Sequence, residues 1–343
     1  MLHLSTPVSV VHLSRLHVSE VRRRFALALS RTRLVQGQAT YVPLTLLPLS
    51  LGPVLVGRTA LHTALPSVTS QLRRLGFDQA DALVVDQPLL AGLQEQVRAA
   101  VTIYRSTDIV ESPAKTAGEQ SILATVHGLV STSTYIMDRL SSIRPDVPKL
   151  VLGNGVEFEH FQSGETDGER TGAVYVGAID DRFDWTSVTA MAEQNADISV
   201  RLFGPHPTGV PSLPPNVQVH GPLAYADVPR VLHRARVGLL PFRHSAQNLG
   251  RSPMKFYEYL AAGLNIVSTL PLSPEQQVAP GAFVVADDQD AGASLAMAHQ
   301  AAVNTPGIEL ARLLDWSERA RLLVDFITDL GRHEQRAAVT ARA

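Results

Sequence analysis

From residue 80 onward the chain alternates short apolar runs with longer stretches of helical period, and few folds accept that pattern. "DALVVD" (81–86), "VTIYRS" (101–106), "LVSTS" (129–133) and "KLVLGNG" (149–155) read as strands. "PLLAGLQEQVRAA", "SILATVHG" and "TYIMDRLSSI" read as the helices between them. A second series runs through "AVYVGA" (173–178), "SVRLFG" (199–204), "VQVHG" (217–221), "VGLLPF" (237–242), "NIVST" (265–269) and "AFVVA" (282–286), with "DWTSVTAMAEQN" and "YADVPRVLHRA" as helices. Continuous apolar strands alternating with helices specify parallel sheets covered on both faces. At 343 residues, two such α/β domains are expected, and the polar "SGETDGERTG" (163–172) reads as a loop at their junction. The expected division is an N-terminal Rossmann-like domain over 1–150, a C-terminal one over 151–331, and a flexible tail over 332–343. A cleft between two doubly wound sheets is the natural ligand site.

There is no cysteine, which excludes disulfides, thiolate metal sites and cysteine nucleophiles and fits a reducing cytoplasm. Residues 1–150 carry a net charge of +5 and residues 151–343 one of −7. The early excess lies in "RLHVSEVRRRFALALSRTRL", where Val18, Val21, Phe25, Ala28 and Leu29 recur at helical spacing beside Arg22, Arg23 and Arg24. Such a helix is either a solvated surface or a docking face for an anionic membrane or acceptor. Nucleic acid is not expected, because basic and aromatic residues do not interleave. No signal peptide is visible. The uncharged "ATYVPLTLLPLSLGPVLVG" (39–57) approaches a membrane span in length, but Pro43, Pro48 and Pro53 break any helix. It reads as a strand followed by an apolar loop, which either rests in a bilayer surface or, the reading favoured, forms a buried connection. The expected setting is cytoplasmic, peripheral at the inner face of the plasma membrane.

"SPMKFYEYLAAGLNIVST" (252–269) holds one of only three lysines. Ser252 suits an N-cap, Pro253 the first helical position and Gly263 the left-handed position that ends a helix. Lys255 then falls in the first turn, where unpaired amides and the helix dipole already carry positive charge. A cation there is misplaced unless an anion sits before it. Glu258 lies on the same face. The pair is either a solvated i,i+3 salt bridge or a site where Lys255 takes a diphosphate and Glu258 a ribose diol.

"VGLLPFRHSAQNLGRSPMKFYEYLAAGLNIVST" resembles the nucleotide-binding region of GT-B glycosyltransferases, in the broad group that includes bacterial exopolysaccharide and teichuronic-acid enzymes. "VLGNGVEFEHF" is similar to the family's interdomain segment, and "AVYVGAIDDRFDW" to its first C-terminal strand and loop. The resemblance is strongest over about 150–270. It implies the GT-B fold, two doubly wound domains facing a cleft, and a metal-independent, cofactor-free transfer from a nucleotide sugar to a lipid-linked or glycan acceptor. It also implies that Lys255 holds the diphosphate and Glu258 the ribose, with Ser252, Pro253, Met254 and Gly177 lining the pocket. The chain departs from the family's E-x7-E pattern, since position 250 is Gly. It also lacks the basic residue usual after the first glycine loop, for which Arg182 is a substitute.

An inverting transfer needs a general base. "TIYRSTDIVES" sets Asp108 just past a strand's carboxyl end, with Arg105 nearby, and is similar to a stretch of the xanthan glucuronosyltransferase-like subgroup whose aspartate is the base. Asp108 serves equally as a helix N-cap. Glu111, Glu119 and His127 are further candidates, with His127 expected to pack before strand 129–133. Asp180-Asp181 and Asp287-Asp288 read as solvated pairs, and no zinc, P-loop or nucleophile-elbow pattern occurs. Two other classes fit the same sequence: a non-catalytic donor-binding scaffold, and a sugar-nucleotide epimerase on the same frame.

Overall fold

The computed structural model describes residues 1–9, 18–30, 32–33, 35, 37–164, 168–206, 209–245, 248, 251–270, 272–285 and 290–340. The chain divides into two compact units, one of residues 1–131, 137–150 and 325–343, the other of 132–136 and 151–324.

The second unit is built on six parallel strands in the order 217–220, 200–203, 173–176, 237–240, 265–268, 282–284. Residue alternation decides which side chain covers which face. Val174, Leu240 and Ile266 face a core containing Phe256, Tyr259 and Leu260. Tyr175, Leu202, Leu239 and Val267 face another containing Met191 and Leu295. Strand order reverses between 173–176 and 237–240, so the crevice beyond their carboxyl ends is where such a sheet accepts ligands. The helix Met254–Ala261 starts there.

In the first unit, strands Gln79–Val85, Arg98–Ser106 and Gly128–Ser131 pair in parallel, and Lys149–Val151 completes the sheet. Small parallel pairs join Leu2–Leu4 to Ala39–Tyr41 and Val8–Ser9 to Leu44–Thr45. The apolar stretch expected to be a buried connection instead closes as a hairpin, Ser50–Leu51 against Val54–Leu55, which leaves Leu51 and Val54 exposed. The helix expected over 88–100 is replaced by two 3-10 turns, Pro88–Leu90 and Leu93–Glu95, and the next strand begins at Arg98. Gly92 between them has φ +101°, which no helix interior accommodates. The tail expected from Arg332 continues the helix Trp316–Thr340, since "RHEQRAAV" consists mainly of good helix formers and contains neither glycine nor proline after Gly331. The basic helix forms over Val18–Leu29, with Arg23, Leu27 and Leu29 exposed. The side chains of Arg22 and Arg24 lie outside the described residues. Among the described residues no helix is long and apolar enough to cross a membrane.

Candidate functional site

The helix Met254–Ala261 opens on Pro253, whose extended backbone (φ −64°, ψ 126°) makes it the N-cap, and Gly263 (φ +74°) follows the helix in the left-handed conformation. Ser252 is therefore not the cap its residue type suggested. Its buried hydroxyl accepts the Asn154 N–H (3.1 Å) and shares a hydrogen bond with the Tyr257 hydroxyl (2.6 Å). The Asn154 side chain donates to the Ser252 carbonyl at 2.6 Å. These bonds pin the loop before the helix to the Asn-Gly segment 98 residues earlier. Met254 is exposed.

Lys255 is half-buried, and its ammonium lies 5.5 Å from the centre of the Tyr175 ring. Among the described residues it forms no salt bridge. Burial holds its pKa below the ordinary lysine value; Arg251 and Arg182 push the same way, while Glu258 and Asp180 oppose. Burial likewise raises the Glu258 carboxyl above the usual glutamate range, opposed by Lys255 and His160. Lys255 is thus a desolvated cation set among two arginines and two carboxylates, the kind of perturbed group that marks a candidate site.

Gly177 follows strand 173–176 directly beneath that ammonium. Its N–H donates to the Phe203 carbonyl at 2.8 Å, and the Ile179 N–H to the Pro205 carbonyl at 2.9 Å. Tyr175 donates its hydroxyl to the Ala178 carbonyl (2.7 Å), and the Tyr259 hydroxyl accepts the Val176 N–H (3.2 Å). The loop is pressed against its neighbour so closely that a β-carbon at Gly204 would lie 1.9 Å from the Gly177 carbonyl oxygen.

Arg182 lies in this neighbourhood, yet its guanidinium is engaged by Asp180, whose carboxylate accepts its Nε at 3.0 and 3.1 Å. This ion pair holds the Asp180 carboxyl below the usual carboxylate range. Asp180 is thus the partner of a cation and not half of a solvated pair. Gly250 and Asp287-Asp288 lie outside the described residues. Among the described residues no cluster of histidine and carboxylate side chains has metal-site geometry.

Sequence reading missed Arg251, the cation next to Ser252, and the group beside Glu258. His160 stacks on Tyr225 at 4.3 Å and 13°, and Tyr225 donates its hydroxyl to Glu157 at 3.0 Å. Position in "GRSPMK" was a usable signal for Arg251. The other contacts join residues 65 and 68 positions apart, which no local pattern shows.

Asp108 and Arg105 belong to the first unit. Asp108 is exposed, and it is not a helix cap: Ser112 caps Pro113–Leu123 by accepting the Lys115 N–H. The Thr107 hydroxyl donates to the Asp108 carboxylate at 3.4 Å. Arg105 is half-buried on its strand, with a pKa lowered by burial and raised by Asp86. Glu119 is committed elsewhere, because its buried carboxylate accepts Arg139 twice (2.6 and 2.8 Å) and the Tyr104 hydroxyl at 2.9 Å. His127 accepts the Thr102 N–H through Nδ1 at 3.0 Å, a packing role before strand Gly128–Ser131.

Two units, each built on a parallel sheet and the second doubly wound, are the architecture of the GT-B class of fold. Structures of that class align along nearly the whole chain. Sucrose-phosphate synthase from Thermosynechococcus elongatus covers 96% of this chain and 98% of its own with TM-score 0.67 and 14% identity. HepE of Anabaena in complex with UDP and glucose covers 84% and 86% with TM-score 0.65 and 11% identity. The trehalose-6-phosphate structure from E. coli, bound with UDP-2-fluoro glucose, covers 96% and 98% with TM-score 0.64 and 11% identity. The fold is that of the GT-B glycosyltransferases, as the resemblance implied. In sequence, the chain is 31% identical over 139 residues to TuaH of Bacillus subtilis (strain 168), named for teichuronic acid biosynthesis and glycosyl transfer. That match spans 36% of this chain and 35% of the relative. No family model matches the sequence.

Proposed function

We propose that this chain is a glycosyltransferase that takes a sugar from a nucleoside diphosphate sugar, UDP favoured, and passes it to a lipid-linked or polysaccharide acceptor in bacterial cell-surface glycan synthesis. The observation that carries this reading is the half-buried Lys255 ammonium, its pKa lowered, between Gly177 and the start of the helix Met254–Ala261. The diphosphate takes the helix amides, Lys255 and Arg251, while Glu258 accepts the ribose hydroxyls. As the glycosidic bond to the diphosphate breaks, charge grows on its oxygens, and these fixed cations stabilise it without a metal. Asp108 takes the proton of the acceptor hydroxyl. HepE was crystallised with UDP and glucose, which favours UDP as the leaving nucleotide. The exposed Arg23 face of the first helix supports a peripheral site at the inner surface of the plasma membrane.

The test is a thermal-shift and calorimetric panel of nucleotides and nucleotide sugars, followed by UDP release with and without a polyprenyl-linked saccharide, in the presence of EDTA. UDP binding and acceptor-dependent, EDTA-resistant release support the reading. Binding without turnover points to a scaffold, and conversion of the free nucleotide sugar without acceptor points to an epimerase. No nucleotide binding at all overturns it.

A further inference from the structure

The loops after strands 173–176, 200–203 and 237–240 enclose an open cavity of about 650 Å³, lined by Ala178, Asp180, Asp181, Trp185, His206 and Arg243 among others. That is within the range of about 300–1,000 Å³ of small-molecule sites. Neither Lys255 nor Glu258 lines it. It starts at Ala178, one residue past the glycine beneath the Lys255 ammonium, and so adjoins the diphosphate site without being part of it.

Its walls have a specific chemistry. Trp185 is half-buried and braced edge-on by the buried Phe183, with ring centres 4.7 Å apart. Arg243 is anchored at two points: its N–H donates to the Arg182 carbonyl (2.9 Å) and its Nε to the Phe183 carbonyl (3.1 Å). Its Nη groups have no partner among the described residues. Asp180 is occupied by Arg182, whereas the exposed Asp181 carboxylate accepts no hydrogen bond among the described residues. The cavity therefore offers a braced aromatic face, one carboxylate and one guanidinium, beside the His206 imidazole.

A phosphate would meet Asp181, and an apolar ligand would strand both charged groups from water. A sugar ring satisfies all three, since its C–H face lies on an indole and its hydroxyls donate to a carboxylate and accept from a guanidinium. We propose that this cavity is a carbohydrate subsite for the pyranose ring of a neutral sugar, with Trp185 as platform and Asp181 and Arg243 as hydroxyl partners. The ring is either the sugar of a nucleotide sugar or a unit of a glycan. The first source rests on the donor reading above.

Calorimetry on the full chain separates the two. Wild type, Trp185→Ala and Asp181→Asn are titrated with UDP, with UDP-glucose, UDP-galactose and UDP-N-acetylglucosamine, and with maltotriose in the presence and absence of UDP. The expected result is loss of about tenfold or more in affinity for a sugar-bearing ligand in both variants, with UDP affinity changed less than about twofold. Dependence on Trp185 seen only for a UDP-sugar assigns the ring to the donor, and dependence seen for maltotriose assigns it to a glycan. Failure of UDP to bind wild type sinks the donor reading alone, since maltotriose still reports on the cavity. The subsite is overturned if no sugar-bearing ligand distinguishes wild type from the variants. Asp181 is exposed, so Asp181→Asn keeps the test decisive should Trp185→Ala fail to fold.

Discussion

The ammonium of Lys255 stands where a side chain at Gly177 would be: a β-carbon there would lie 2.0 Å from Lys255 Cε and 2.5 Å from Nζ. The colliding atoms are the far end of a flexible side chain, so the cation moves, while φ +158° at Gly177 adds backbone strain for any other residue. Gly177→Ala is expected to lower the melting temperature moderately without preventing folding and to lose UDP affinity by about tenfold. A Gly177→Ala protein that binds UDP like wild type would separate the glycine from the site.

Lys255→Ala removes the charge itself. The expected cost to UDP binding is about 1.5–3 kcal/mol, the range for a lost charge-assisted contact. Unchanged affinity by calorimetry ends the diphosphate assignment.

The pH dependence has a definite sign. Burial holds the Lys255 pKa low in the free protein, and a bound diphosphate raises it. Between those two values the free protein is partly neutral at this position and the complex is charged. Binding therefore takes up a proton, and affinity falls as pH rises through that window. Calorimetry in buffers of different ionisation heat should report uptake in wild type and none in Lys255→Met. An affinity that stays level across the whole pH range in which the protein is folded contradicts this.

Asp108→Asn is expected to bind UDP as wild type does and to lose acceptor-dependent UDP release by at least about a hundredfold. Retained turnover removes Asp108 as the base.

Glu119 supplies a stability test remote from Lys255 in sequence. Its carboxylate joins Arg139 and Tyr104 in a three-residue cluster whose glutamate is buried while the arginine side chain keeps 30% of its exposure. Glu119→Ala is expected to destabilise by about 2–4 kcal/mol, since removing one partner strands the other. Chemical denaturation measures it, and a loss under about 0.5 kcal/mol would show the arginine escaping to water.

The strands were legible where side chains on both faces are buried: Val174 to one core and Tyr175 to the other, Leu240 and Leu239 likewise. Gly263 was legible because a left-handed residue after a helix is a local requirement. Ser252 was misread because its partners, Asn154 and Tyr257, include one far away in sequence, and a tertiary bond displaced the local cap. The helix expected after residue 87 failed at Gly92, where apolar spacing alone outvoted a backbone break. Lys255 and Glu258 could be found from helix electrostatics, whereas the engagement of Arg182 by Asp180 and the bracing of Trp185 by Phe183 depend on how a loop folds back.

Gly204 meets the Gly177 carbonyl main chain to main chain, with no side chain between them. A side chain at Gly204 would be refused for its β-carbon alone, whatever its chemistry, so the footing beneath the cation is set by backbone shape.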